Sequence, residues 1–235
     1  MNELALFAGA GGGILGGHLL GWRTVCAVEH EPYAAAVLCA RQNDGVLPPF
    51  PIWDDVCTFD GRPWRGIVDV VSGGFPCQAF SSAARGRNIP EKNLWGEMLR
   101  IVSDTCPRFV FAENVSEKAI VASANDLSNI GYVCNYIQLS AKDLGADHER
   151  SRFWLLAYSD HDGKFCGTVN AETQMLQKFC GSVWATFAGE LRVPDGLAFR
   201  LDRLKALGNG QVPIVAAIAW IKLYLISFGK YKEGA

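Results

Sequence analysis

Leu4-Ala5-Leu6-Phe7-Ala8-Gly9-Ala10-Gly11-Gly12-Gly13 is the stretch on which the fold turns. Its apolar start predicts a short buried strand, its glycines a tight turn, and its exit a helix beginning near Ile14. Glycines at a strand-to-helix turn let a ligand approach the backbone and the helix N-terminus. The same glycines would serve a plain tight connection equally well. Thr24 to Val28 reads as the second strand, and Glu29 stands at its end, 22 residues after Phe7. An acid about 20 positions beyond such a turn is placed for the hydroxyls of a nucleoside ribose. It is also placed to cap the helix expected from Pro32 to Gln42, because carboxylates favour helix N-termini.

Working outward, Pro48, Pro49 and Pro51 mark an extended loop into Ile52-Trp53-Asp54-Asp55-Val56, read as a short strand. Asp55 closes it, either to accept a hydrogen bond from an adenine amino group or as a simple turn aspartate. Ile67 to Ser72 is a branched, apolar run with the pattern of a buried strand. Gly73 and Gly74 are expected to release the backbone into a turn. Pro76 then stiffens the approach to Cys77, leaving a cysteine on a loop at the carboxyl end of a strand, where open α/β sheets hold their chemistry. A lone cysteine is more often a small buried residue. Here a second apolar strand, Phe109 to Ala112, delivers Glu113 and Asn114 to the same edge, so a nucleophile type and a carboxyl type converge. Between them lie a small basic loop, Ser82 to Asn88 with Arg85 and Arg87, and a helix from Leu94 to Asp104.

A helix from about Ser116 to Asn129, a strand from Tyr132 to Leu139 and a strand from Phe153 to Tyr158 complete the pattern. Arg150 and Arg152 precede the last strand at a spacing that puts both on one face, a pairing suited to anion or carbonyl recognition. From Ser159 to about Ala198 the alternation of strands and helices decays, and this segment is expected to be a small insert. Val212 to Phe228 is strongly apolar, but Lys222 interrupts it, and a buried terminal helix is expected rather than a membrane span.

Length allows one large domain or a domain with a modest insert, and composition supports a sizeable core: 49% of the 235 residues are apolar and 20% charged. The net charge of -2 excludes a generally basic protein, so any nucleic-acid surface must be a local patch. Eight cysteines without a C-x-x-C pair, and four histidines that form no ligand set with them, argue against metal. Scattered cysteines without a signal peptide point to a reducing, cytoplasmic setting.

Taken in order, these motifs resemble the DNA (cytosine-5) methyltransferases. Phe7-Ala8-Gly9-Ala10-Gly11-Gly12 is similar to the family's S-adenosylmethionine loop, Glu29 to its ribose acid and Asp55 to its adenine-binding aspartate. Gly74-Phe75-Pro76-Cys77-Gln78 resembles the catalytic loop, Glu113-Asn114-Val115 the Glu-Asn-Val signature, and Arg150-Ser151-Arg152 the end of a Gln-x-Arg-x-Arg motif whose glutamine is replaced here by His148. Gly208-Asn209-Gly210 with Val212-Pro213 resembles the last motif, in which the tail folds back beside the cofactor. The resemblance implies a Rossmann-like α/β fold with a mostly parallel sheet flanked by helices. It implies a catalytic domain over 1–158, a target-recognition insert over 159–205 that is short for the family, and a returning segment over 206–235.

The resemblance also assigns roles. Cys77, Glu113, Arg150 and Arg152 are the catalytic set. Phe7, Gly9, Gly11, Gly12, Glu29, His30, Asp55, Leu94 and Asn209 would bind S-adenosylmethionine, and no metal is implied. Gln78, Ser81, Arg85, Arg87, Arg192 and Arg203 would meet double-stranded DNA. A cognate restriction endonuclease is a candidate partner, the chain is expected to be a monomer, and no membrane is involved. A tRNA-modifying relative with the same chemistry and a partner-dependent DNA-binding protein with weak catalysis stand as alternatives.

Overall fold

The computed structural model describes residues 1–76, 94–147, 149–159 and 210–228. The elements in chain order are β1 (Asn2–Leu6), α1 (Gly12–Leu19), β2 (Arg23–Val28), α2 (Pro32–Asn43), β3 (Ile52–Trp53), β4 (Val70–Gly74), α3 (Trp95–Thr105), β5 (Phe109–Asn114), α4 (Glu117–Asn129), β6 (Tyr132–Ser140), β7 (Ser151–Ser159) and α5 (Pro213–Phe228). The strands form one seven-stranded sheet in the order β3-β2-β1-β4-β5-β7-β6. Pairings from β3 through β5 are parallel, while β7 runs antiparallel to both β5 and β6. The expected α/β class and mostly parallel sheet are therefore present.

Alternation along each strand sorts the side chains onto two faces. Leu4, Leu6, Val28, Val71, Val110, Ala112 and Leu155 meet Met98, Ile101 and Val102 of α3 and Ala119, Ile120 and Leu127 of α4. Ala5 and Ala27 meet Ile14 of α1 and Leu38 of α2, while Phe109, Phe111 and Trp154 meet α5. The α5 helix is buried on nearly every side, apart from Lys222 and Ile226, as its almost wholly apolar composition requires. Trp220 on α5 stands edge-on to Trp22, with ring centroids 4.6 Å apart. No described helix is long and apolar enough to cross a membrane.

Several strand limits differ from the sequence reading. Rather than starting at Ile67, β4 begins at Val70, because a tight turn closes with Ile67 N–H bonded to Trp64 O at 3.1 Å. Asp69 then anchors the turn by accepting the Asn2 N–H at 2.7 Å. Gly73 and Gly74 are the last two residues of β4, not a turn after it, and neither has a positive φ. Rather than running to Val56, β3 stops at Trp53. Asp55 therefore lies beyond the strand, and its Oδ1 accepts the Cys57 N–H at 2.9 Å, a local turn that ends the extended backbone.

One buried group has a consequence for stability. Glu3 on β1 is fully buried, and Thr24 and Ser72 donate their hydroxyls to its two oxygens at 2.7 and 2.6 Å. No cation pairs with it among the described residues, so desolvation raises its pKa from 4.5 to about 7. The folded state thus holds a proton that the unfolded chain releases. The contribution of Glu3 to stability is therefore fully present below about pH 4.5 and is lost as pH rises towards 7, by roughly 3 kcal/mol over that window. Glu3→Gln is expected to flatten this slope, read as the difference between urea midpoints at pH 5 and pH 8. Equal slopes in the two proteins would show that Glu3 is ionised in the fold.

Candidate active site

Parallel strands bring Leu6, Val28, Trp53, Gly74 and Asn114 to a common carboxyl edge. Since β7 is antiparallel, its first residues rather than its last reach that edge, which is why Arg152 lies there. The left side of the edge is the glycine turn. Phe7 adopts φ 52°, a left-handed conformation that costs a bulky residue roughly 1–2 kcal/mol. The turn is tied down by Ala8 N–H to Val28 O at 3.1 Å and Gly11 N–H to Ala8 O at 2.9 Å. Gly11 caps α1 at φ 85° without a side-chain bond, leaving the amides of the first turn to other acceptors.

Glu29, buried at the end of β2, accepts the Gly9 N–H on Oε2 at 2.6 Å and the Glu31 N–H on Oε1 at 2.7 Å. It does not cap α2, whose N-cap is Glu31. It is instead a brace between the glycine turn and the β2 exit. A carboxylate has about four lone-pair sites, so these two bonds leave capacity for hydroxyl donors. A Cβ placed on Gly9 would meet no atom within 4 Å, so the turn faces open space. An open cradle, a buried carboxylate and a helix N-terminus suit a nucleoside-bearing ligand.

The exposed His30 follows, with its Nδ1 3.1 Å from Asp54 O. The Asp55 turn is held from below by Arg100 on α3, which donates to Val56 O and Phe59 O at 3.0 Å each and pairs with Glu97 and Asp104. Leu94, the N-cap of α3, packs half-buried against the core.

The right side of the edge holds Glu113, whose backbone sits beside Gly74 on β4 and Trp154 on β7. Its carboxyl is buried and its Oε1 pairs with Arg152 Nε at 2.9 Å. Desolvation raises the Glu113 pKa, while Arg152, the Gln211 amide and Arg150 pull it back. Arg150 donates through Nη2 to Gly210 O at 2.6 Å. Both arginines of the expected pair therefore stand at Glu113, one on the carboxyl and one on the returning chain. Asn114 reaches across to β4, donating to Phe75 O at 2.9 Å while its Oδ1 accepts the Ser116 N–H at 2.9 Å. It fixes the backbone just ahead of Pro76 and Cys77.

The structure brings together Phe7, Gly9, Gly11, Gly12 and Glu29 on one side and Glu113, Arg150 and Arg152 on the other. Cys77, Gln78, Ser81, Arg85, Arg87, His148, Arg192, Arg203 and Asn209 lie outside the described residues. Two residues with no role in the sequence reading emerge. Arg100 sits on α3 with no local sequence pattern to mark it. Gln211 was hidden between motif residues, and the glycines that receive it are distant in sequence.

A family model described as C-5 cytosine-specific DNA methylase matches residues 1–185. The Type II methyltransferase M.Eco47II of Escherichia coli is 34% identical over 142 residues, covering 55% of this chain and 32% of that one. M.NgoMIV of Neisseria gonorrhoeae is 30% identical over 173 residues, covering 70% and 54%. The chain thus spans about half or less of the length of these curated relatives. A crystal structure of a DNA modification methyltransferase encoded within an E. coli prophage superposes with a TM-score of 0.54 at 27% identity, over 68% of this chain and 47% of that one. The S. pombe Dnmt2 methyltransferase, at 22% identity and a TM-score of 0.56 over 74% of this chain and 55% of that one, shares the fold. On the extent of the family match, with the glycine turn and the Glu113–Arg152 pair on one sheet edge, this chain belongs to the C-5 cytosine-specific DNA methylase family.

Proposed function

We propose that this chain is the catalytic unit of a DNA (cytosine-5) methyltransferase acting through a covalent cysteine adduct on a flipped-out base. The observation that carries the reading is Glu113, a buried carboxyl with a raised pKa on Arg152, at the edge that also holds the glycine turn and Glu29. The Phe7–Gly12 turn with Glu29, His30, Asp55, Leu94 and Asn209 would hold S-adenosylmethionine, which would supply an electrophilic methyl group.

Cytosine C5 is a poor nucleophile, and Cys77 overcomes this by adding its thiolate to C6. Glu113, protonated, hydrogen-bonds ring N3 and draws off the charge that the addition creates. Arg152 holds Glu113 in place and presents its remaining donors to the cytosine carbonyl, with Arg150 behind it. Their positive field favours the Cys77 thiolate. After C5 has taken the methyl group, loss of the C5 proton expels Cys77 and restores the ring. The reacting carbon is hidden inside stacked DNA, so the base leaves the duplex at a cost of roughly a few kcal/mol, and the Arg85–Arg87 loop with Gln78 and Ser81 closes over it. Residues 159–205, with Arg192 and Arg203, meet the target, most of their side chains on phosphates that position the DNA and a few on base edges that specify it. The catalytic unit is 1–158 with the return of 206–235. The reading supports a cytoplasmic, monomeric enzyme paired with a restriction endonuclease.

The test is duplex DNA carrying 5-fluorocytosine. Fluorine cannot leave C5 as a cation, so the final elimination stalls and the adduct persists. A denaturant-stable protein–DNA complex is expected, formed only with S-adenosylmethionine and mapping to Cys77 by peptide mass spectrometry. Methyl transfer to DNA without an adduct at Cys77 would remove it from the nucleophile role. Transfer to tRNA and not to DNA would move the chain to the RNA branch.

A further inference from the structure

Gln211 lies in the short segment that enters α5, at the meeting point of three glycines. A Cβ on Gly12 would collide with the Gln211 main-chain carbonyl, and one on Gly13 with its side-chain Oε1. A Cβ on Gly74 would stand 2.8 Å from Glu113 Oε2 and 3.1 Å from Gln211 Nε2. None of the three glycines has a positive φ, so backbone conformation does not require them. Space does. Together they open a recess between the first turn of α1 and the end of β4, and the Gln211 side chain fills it.

From that recess Gln211 Nε2 donates to Glu113 Oε2 at 3.5 Å, while Arg152 occupies Oε1. The neighbouring Gly210 carbonyl is clamped by Arg150, and the Val212 carbonyl receives the first described bond of α5, from Ala216 N–H at 3.0 Å. The glutamine is therefore fixed from both sides along the chain. Its side chain thus lies against both the glycine helix and the Glu113 carboxyl.

We propose that Gln211 is a positioning residue for Glu113: its amide orients Oε2 and sets how readily the carboxyl takes its proton. The proposal rests on the reading of Glu113 as the group that meets the cytosine ring. A donor on Oε2 stabilises the charged carboxylate and opposes the desolvation that raises its proton affinity.

The test uses the full chain labelled with 13C at glutamate carboxyls, with the Glu113 signal assigned by its loss in Glu113→Gln. Gln211→Met keeps the side-chain length and removes the donor. Its Glu113 titration is expected to move up by about one pH unit, and the alkaline limb of kcat, measured with tritiated S-adenosylmethionine and genomic DNA from a methylation-free host, should move with it. The lost orientation of Oε2, which the higher proton affinity does not offset, should lower kcat at neutral pH about tenfold. If Gln211→Met does not fold, Gln211→Glu preserves the shape and places a second carboxyl against Glu113, which should push the titration higher still. A purely structural role would alter stability and leave the titration where it was, and that result overturns the proposal. If the titration holds while Glu113→Gln abolishes methyl transfer, only Gln211 loses its role. If Glu113→Gln retains wild-type turnover, the reading of Glu113 falls and takes this proposal with it.

Discussion

Glu113→Gln is expected to lower kcat about 1,000-fold while leaving the affinity for S-adenosylmethionine unchanged. The amide has the same shape and can offer its oxygen to Arg152 Nε, which sits 2.9 Å from Oε1 in the wild type. Its nitrogen must then face the Gln211 amide and the substrate. It can still donate to cytosine N3, but it cannot transfer a proton, and the loss of that proton is what the rate should register. Arg152 also loses its counter-charge, so a smaller penalty in stability is expected and should be measured separately by denaturation. Single-turnover methylation and calorimetric titration with the cofactor separate the two effects. Turnover near wild type would show that Glu113 holds structure and takes no part in the reaction.

The pH dependence follows from the same site. Burial raises the Glu113 pKa, so the protonated carboxyl survives to higher pH than an exposed one would. Methyl transfer should decline as pH rises through that raised value, while the Cys77 thiolate requires the opposite. On the proposed mechanism the wild-type profile of kcat should therefore be bell-shaped, with Glu113 setting its alkaline side.

The parts of this site that were legible in the sequence share a physical cause. Apolar runs ending in glycine or an acid mark buried parallel strands and their exits, and Glu29 and Glu113 are found that way. Glu29 illustrates the limit: chain spacing left ribose binding and helix capping equally open. Only its bonds to Gly9 and Glu31 show that it braces the turn. Asp55 misled the strand reading because an aspartate side chain can take a backbone N–H two residues on, and here that bond ends β3 early. Gly73 and Gly74 misled it differently. A double glycine usually signals a turn, but Gly74 is needed where β4 passes the Glu113 carboxyl, a contact 39 residues away along the chain. Gln211 and Arg100 were invisible for the same reason: their partners are set by tertiary packing and leave no local pattern.

Trp154→Ala is expected to destabilise the fold by about 4 kcal/mol, a large share of the stability of a domain this size. Trp154 is 1% exposed and is among the largest fully buried side chains in the chain. It stacks on Phe111 at 5.4 Å and belongs to the cluster that joins β5 and β7 to α5. Two residues before it on β7, Arg152 holds Glu113, so a collapse of this packing should reach the active edge as well as the core. Yet the Trp154 indole N–H is buried with no acceptor among the described residues, an unmet donor that costs roughly 1–3 kcal/mol. Trp154→Phe removes that donor and keeps an aromatic ring against Phe111. The two losses then oppose each other, the smaller ring leaving a void and the missing N–H relieving a penalty. Trp154→Phe should consequently lie within about 1 kcal/mol of wild type in urea unfolding, far above the alanine variant. A phenylalanine variant as unstable as alanine would mean that the indole N–H has a partner in solution and that its bond, rather than ring packing, holds β7 against α5.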